Sequence, residues 1–339
     1  MRLLVLGGTV FVGRAVARRA RDLGHEVVCA ARGRSGAPPD GVRFVPVDRG
    51  DPAGWAGLAG ETFDAVVDVA RRPSYVRSAV AALGDRVGHW VFVSTCSVYA
   101  DQATPRQRVA TAPLLPPAPP EVDDAEREYG PCKVACEQAL LAGVGADRLL
   151  VCRAGLIVGP EDPSGRFTYW VRRLARGGEV LAPGDPAEEV QLVDVRDLAA
   201  WLVGCAEQRL AGTYDGMGAP MPRGRFLAEA AAGVSGAGPA AAAPPLAITW
   251  VAQDFLLAAG VRPWSGERSL PLWLPVPEYA GFLSRDVTAT LRAGLRTRPL
   301  AETAADTRAW LAGAPAEGGS GLSAADEADL LRRWHARAA

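Results

Sequence analysis

Apolar residues come in short unbroken blocks along the first half of the chain. Leu3 to Leu6 is the first, ending in the turn Gly7-Gly-Thr-Val-Phe-Val-Gly13, after which Val12, Val16 and Leu23 fall on one face at helical spacing. Four further blocks follow: His25 to Ala31, Val42 to Val47, Phe63 to Val69 and His89 to Ser94. A sixth lies at Leu149 to Ala154. Helical patterns such as Tyr75 to Leu83 stand between them. Short apolar strands alternating with helices predict an α/β fold built on a parallel sheet covered on both faces.

Thr104 to Pro120 is proline-rich and reads as a surface loop, and a helix is predicted from Tyr129 to 147. Beyond Gly155 the rhythm weakens. Arg166 to Arg176 and Val195 to Gln208 read as helices, and Pro239 to Pro245 as an Ala/Pro linker. Ile248 to Val251, the Trp264 to Pro277 segment and tail helices near Thr303 and Asp326 complete a smaller lobe. The expected division is a nucleotide-binding domain over 1–155, with helix 194–208 packing back on it, and a substrate-binding lobe over 156–193 and 209–339.

Composition narrows the function classes. The 339 residues carry a net charge of −1, which gives no electrostatic case for nucleic acid. The arginine groups Arg14, Arg18, Arg19, Arg21 and Arg172, Arg173, Arg176 are spread by helical spacing over an outer surface. Six cysteines form no Cys-x-x-Cys pair and read as reduced thiols. Glycines interrupt the apolar start, and no run approaches the ~18 apolar residues of a membrane span. A cytoplasmic protein without membrane contact is expected. His25, His89 and His335 show no metal-ligand spacing. Asparagine is absent and lysine occurs once, at Lys133. Arginine serves every other cationic position, so the retained ammonium calls for an explanation.

Three stretches carry chemistry. The first is the glycine turn after the first strand, where small residues let backbone N–H groups and a helix N-terminus approach a pyrophosphate. Its candidate cofactor contacts are Gly7, Gly8, Thr9, Phe11, Val12 and Gly13, with Ala70 at the end of the fourth strand. Val10 holds the middle position, and because Val resists positive φ the loop must take a variant shape. At the end of the second strand, where an NAD ribose would meet a carboxylate, the chain reads Cys29-Ala-Ala-Arg32-Gly-Arg34. Two guanidiniums and no acid there point to NADP(H) over NAD(H). Asp48 could bond the adenine or cap a turn. The second stretch is Ser94-Thr-Cys-Ser-Val-Tyr99 at a strand's carboxyl end, where ligands of such sheets bind. The third is Tyr129-Gly-Pro-Cys-Lys133. Four residues apart on a helix, phenol and ammonium share a face, and a neighbouring cation should lower the phenol's pKa toward neutrality. Tyr129 is thus a candidate general acid or base.

Together with Glu137, Arg153-Ala-Gly-Leu-Ile-Val-Gly-Pro160 and Val193-Asp-Val-Arg-Asp-Leu198, these motifs resemble the extended branch of the short-chain dehydrogenase/reductases, the NAD-dependent epimerase/dehydratases. The resemblance covers nearly the whole chain and implies a Rossmann-type doubly wound parallel sheet with a smaller C-terminal substrate-binding lobe. It implies that Tyr129 exchanges the proton, Lys133 bonds the nicotinamide ribose and Thr95 orients the substrate oxygen. It also implies a homodimer formed through helices that include the Tyr-x-x-x-Lys helix. Cys96 and Ser97 stand where sugar-nucleotide dehydratases carry Asp-Glu, which disfavours elimination. Leu156 stands where epimerases carry an Asn near substrate phosphates, which disfavours a sugar nucleotide. Trp170, Trp250, Trp264, Trp273, Phe167, Phe255 and Tyr279 could line an apolar cavity or simply pack the lobe.

The expectation is an NADPH-dependent reductase acting on a ketone, or an imine, of a small non-nucleotide metabolite. Two alternatives stand beside it: an NAD(P)-dependent epimerase of a sugar or sugar nucleotide, and a non-catalytic cofactor-binding sensor or RNA-binding protein.

Overall fold

The computed structural model describes residues 1–235, 244–314 and 320–337. Six strands fall where the apolar blocks lie: β1 (Arg2–Leu6), β2 (Glu26–Ala31), β3 (Arg43–Pro46), β4 (Phe63–Asp68), β5 (Val87–Thr95) and β6 (Leu149–Ala154). In β4 the side chains of Ala65 and Val67 enter one core and that of Val66 the other. A strand buried on both faces has no polar side, which is why each block reads as an unbroken apolar run.

Helices α1 (Phe11–Asp22), α2 (Pro73–Leu83), α3 (Tyr129–Val144), α4 (Arg166–Ala175) and α5 (Val195–Gln208) follow in chain order. On one face Val16, Ala17 and Ala20 of α1 meet Leu198 and Leu202 of α5 over Val5 and Val91. On the other, Val76 and Leu83 of α2 and Cys136 and Leu140 of α3 close over Leu4, Val66 and Phe92. Leu23, expected on the apolar face of α1, instead follows its last turn and is exposed.

The main sheet has seven parallel strands, not six. Strands β7 (Leu156–Val158), β8 (Glu179–Pro183), β9 (Glu189–Val190) and β10 (Leu192–Asp194) lie outside it, but β11 (Gly212–Gly216) pairs with β6 at its edge. The order is β11-β6-β5-β4-β1-β2-β3. The expected lobe range 209–339 therefore yields its first strand to the sheet. Gly-Thr-Tyr-Asp-Gly has no apolar run because an edge strand is covered less completely than a central one. Strand order reverses between β1 and β4, and such a reversal opens a crevice at the carboxyl ends.

The smaller lobe packs α4, Arg223–Ser235 and Leu300–Leu311 around a core that includes Phe167, Trp170, Phe226 and Trp273. The second tail helix, Ala324–His335, meets it through Leu330 and Leu331. Residues 239–243 of the expected linker lie outside the described residues. The proline-rich loop is tied to the lobe, since the Arg106 N–H donates to the Ser284 carbonyl at 2.6 Å and Arg108 bridges Asp286. Among the described residues no helix is long and apolar enough to cross a membrane, and all six cysteines are buried free thiols.

Candidate active site

The glycine turn resolves the Val10 problem by moving the strain. Gly7 takes φ +95°, Val10 stays extended at φ −136°, and Phe11 carries φ 35° at the first position of α1. A Cβ on Gly13 would lie 2.2 Å from the Gly7 carbonyl oxygen, so α1 sits directly against the turn. The result is a cavity of about 200 Å³ at the carboxyl ends of β1 and β2. Gly7, Thr9, Arg32, Arg34 and Ala70 line it together. Gly8, Phe11, Val12 and Gly13 do not; Gly8 instead packs its backbone on Cys29, where a Cβ would meet the sulfur at 2.3 Å. Asp48 also lies outside the lining and caps a turn, its Oδ1 accepting from the Gly50 N–H at 3.0 Å.

One residue not foreseen from the sequence, Arg49, completes the lining, and a second, Asp68, is buried behind it. Arg49 donates to Asp68 Oδ1 at 2.8 Å, which also accepts from the Ala70 N–H at 2.9 Å. Asp68 is fully buried, and its Oδ2 has no hydrogen-bond partner. Buried carboxylate oxygens are seldom left unpaired. A glycine turn at the carboxyl ends of β1 and β2, with Arg32 and Arg34 on the lining, fits a nicotinamide dinucleotide.

The second half of the site lies at the end of β5. Thr95 is buried, with its Oγ1 3.2 Å from both the hydroxyl and the N–H of Ser97. Tyr129 opens α3 and is half-buried. A Cβ on Gly130 would stand 2.4 Å from the Ser97 carbonyl oxygen, so the helix start is pressed against the loop that follows Thr95. Cys96 is buried and its thiol is pushed up to about 12 by burial, which leaves it neutral and unsuited to proton exchange.

Lys133 is buried to 2% exposure. Its Nζ donates to the carbonyl oxygens of Ala70 at 2.7 Å and Val93 at 2.5 Å, and it lies 4.3 Å from the centre of the Phe92 ring. Burial lowers its pKa to about 8, with Cys136, Asp68 and Glu137 pulling the other way. The expected depression of the Tyr129 phenol does not follow. Burial pushes that phenol up, while Thr95, Arg71 and Arg166 draw it down. The ammonium is spent on two backbone carbonyls, whose positions a sequence does not display.

Behind the reacting edge runs a buried chain of charges. Glu137, one turn beyond Lys133, accepts from Ser94 Oγ at 2.5 Å and from Arg153 Nη2 at 2.7 Å. Arg153 reaches the Tyr99 hydroxyl at 3.3 Å, and that hydroxyl donates to Asp215 at 2.6 Å. Arg285 completes the chain with a 2.8 Å bond to Asp215 and lies 3.4 Å over the Tyr99 ring. Elements β5, α3, β6 and β11 and the C-terminal segment thus share one network.

Of the aromatic residues proposed for a cavity, Trp170, Trp273, Phe167 and Phe255 are buried in the lobe core. Trp250 packs against that core, and Tyr279 lines a separate small pocket with Glu188 and Arg223. Trp264 is half-buried and lies under the Arg166 guanidinium, 4.7 Å from its centre. Leu156 is a core residue of the lobe.

Comparison with known proteins matches the family model described as the NAD dependent epimerase/dehydratase family over residues 3–85 and 78–214. The 2'-dehydrokanamycin reductase of Streptomyces kanamyceticus is 30% identical over 210 residues, 60% of this chain and 57% of the relative. The dTDP-6-deoxy-L-talose 4-dehydrogenase (NAD(P)(+)) of Kitasatospora kifunensis is 30% identical over 185 residues, 48% of this chain and 54% of the relative. The matches thus span a little over half the length of these relatives. The Bordetella bronchiseptica enzyme WbmH, solved in complex with NAD+, superposes with a TM-score of 0.66 at 19% identity, over 92% of this chain and 98% of that one, a likeness of fold. With its family model matched over most of the seven-stranded sheet, the chain belongs to the NAD-dependent epimerase/dehydratase family.

Proposed function

We propose that this protein is an NADPH-dependent reductase that delivers hydride to the ketone of a small non-nucleotide metabolite, with Tyr129 as proton donor. The observation that carries the cofactor choice is the pair Arg32 and Arg34 on the lining of the dinucleotide cavity, with no carboxylate at that strand end. Gly7, Thr9 and Ala70 would hold the dinucleotide against β1 and β4, and Arg32 and Arg34 would receive the 2′-phosphate. When bound, the nicotinamide cofactor supplies the hydride.

The residues of the chain supply the rest. Burial raises the Tyr129 phenol, so it carries its proton at neutral pH, the state needed to protonate a forming alkoxide. Thr95 is placed to hydrogen-bond the same substrate oxygen and hold it in line. Lys133 keeps a positive charge next to the site while its bonds to Ala70 and Val93 fix α3 against β5. A neutral Cys96 in place of an acid argues against dehydration. The relatives named as a reductase and a dehydrogenase support net oxidoreduction over epimerisation.

Fluorescence titration with NADPH and NADH tests the reading. Wild type should prefer NADPH, and Arg32→Ser or Arg34→Ser, each made singly, should weaken NADPH by about 10–100-fold while leaving NADH nearly unchanged, since a lost charge-assisted bond is worth about 1.5–3 kcal/mol. A preference for NADH, or a cofactor that copurifies and does not exchange, overturns it and favours the epimerase.

A further inference from the structure

Arg166 is a half-buried arginine whose guanidinium, among the described residues, makes no direct ion pair; the carboxylate of Asp162 acts on its charge but is bonded to Ser164 instead. It opens α4, directly after the loop that follows β7. Among the described residues no carboxylate lies within salt-bridge distance of its guanidinium, and its Nε is buried without a hydrogen-bond partner. The more deeply buried Arg153 and Arg173 are paired, with Glu137 and Glu327. Leaving a buried donor unsatisfied costs about 1–3 kcal/mol, so such a group is retained where something else satisfies it.

The support beneath it is also costly. The guanidinium lies 4.7 Å from the Trp264 ring centre, and Trp264 holds a left-handed backbone at φ 72°. Bulky residues rarely adopt that conformation, and strain of this kind collects where a side chain must be aimed. Trp264 meets Phe282 edge to face at 5.5 Å. Phe282 in turn packs against the cluster of Cys96 and Tyr99 at the end of β5. The shelf therefore runs from α4 to the strand that carries Thr95. The charge of Arg166 acts on both Tyr129 and Cys96, and so does that of Arg71 on Tyr129.

We infer that Arg166, supported on Trp264, is the specificity residue of the cleft and binds an oxyanion of the substrate, a carboxylate or a phosphate carried on the carbonyl compound. A planar guanidinium with one face on an indole keeps its N–H edges free for a two-point bond to such a group. This deepens the reductase reading and rests on it for the word substrate; the oxyanion site itself does not depend on turnover.

The experiment separates the two. With the dinucleotide site saturated by NADPH, inorganic phosphate and oxalate are titrated by calorimetry into wild type, Arg166→Met, Arg166→Lys and the exposed control Arg172→Met. Wild type and the Arg172 variant should bind one equivalent saturably, Arg166→Met about 10–100-fold more weakly, and Arg166→Lys in between. Which of phosphate and oxalate binds better names the oxyanion. In parallel, kcat/KM for a keto acid is compared with that for its methyl ester, and the acid-to-ester ratio should collapse in Arg166→Met. Unsaturable binding, or equal affinity in wild type and Arg166→Met, overturns the inference even if neutral ketones are reduced. Binding that depends on Arg166 while no ketone consumes NADPH supports the inference and removes the reductase reading instead. Arg166→Lys guards against a fold defect, since it retains the charge on an unbranched stem.

Discussion

Arg153→Met removes one half of a buried ion pair behind the reacting edge and leaves the other half in place. The Arg153 and Glu137 side chains are 8% and 10% exposed, so the abandoned carboxylate keeps only the Ser94 hydroxyl as a partner. Removing one member of a buried pair costs about 3–5 kcal/mol, because an uncompensated charge remains. The lost bond to the Tyr99 hydroxyl and the 5.1 Å approach of the guanidinium to that ring act in the same direction. Against a total stability of roughly 5–15 kcal/mol, that is about a fifth or more. Urea unfolding at pH 7 should show this loss. The double variant Arg153→Met with Glu137→Met should recover most of it, since no lone charge is left. A loss below about 1 kcal/mol at pH 7, or a double variant as unstable as the single one, would refute the reasoning.

Because Lys133 is the only lysine, selective 13C-lysine labelling should give a single side-chain signal titrating near 8 in the cofactor-free protein; a midpoint near the ordinary ~10.4 would contradict its burial between two carbonyls. The linkage sign is that of a depressed lysine: the penalty is complete below about pH 8 and is relieved as pH rises toward ~10.4, so this group makes the protein gain stability over that window in pH-dependent urea titrations. Gly130→Ala would drive a Cβ to 2.4 Å from the Ser97 oxygen; kcat should fall by about 10²-fold, as displacements near 1 Å do, with NADPH affinity little changed, whereas an unchanged kcat would mean the helix start is not pinned. Gly13→Ala would place a Cβ 2.2 Å from the Gly7 oxygen and should abolish NADPH binding as read by fluorescence, while retained binding would show that α1 can retreat from the turn.

The central strands were legible because burial on both faces leaves apolar stretches in them, Leu3–Leu6 in β1 and Trp90–Val93 in β5, and β11 was not because Gly-Thr-Tyr-Asp-Gly contains no such stretch. Tyr129, Lys133 and Thr95 were found by spacing and by the scarcity of lysine, and the structure places them at one strand end. Four of the six glycine-turn candidates lie outside the cavity lining: a motif shows which residues share a loop, and only the fold shows which of them face the cavity. Asp68, Arg49 and Arg166 escaped notice since each looks ordinary alone. They become informative through what they lack or share in space, an unpaired oxygen, a buried bond or a missing direct ion pair.

The placement of Tyr99 between two guanidiniums bears on how this protein can be re-engineered. Its hydroxyl meets Asp215 on the last strand of the sheet, one neighbouring arginine comes from β6, and the other, Arg285, comes from the far end of the chain. A chimera that grafts a foreign lobe onto this sheet must therefore carry a matching arginine at position 285, or Asp215 loses its ion pair and Tyr99 loses one of its two guanidiniums. Crossover points chosen from the domain boundary alone would separate partners that only function as a set, and libraries that keep residues 99, 153, 215 and 285 from one parent should fold far more often than those that mix them.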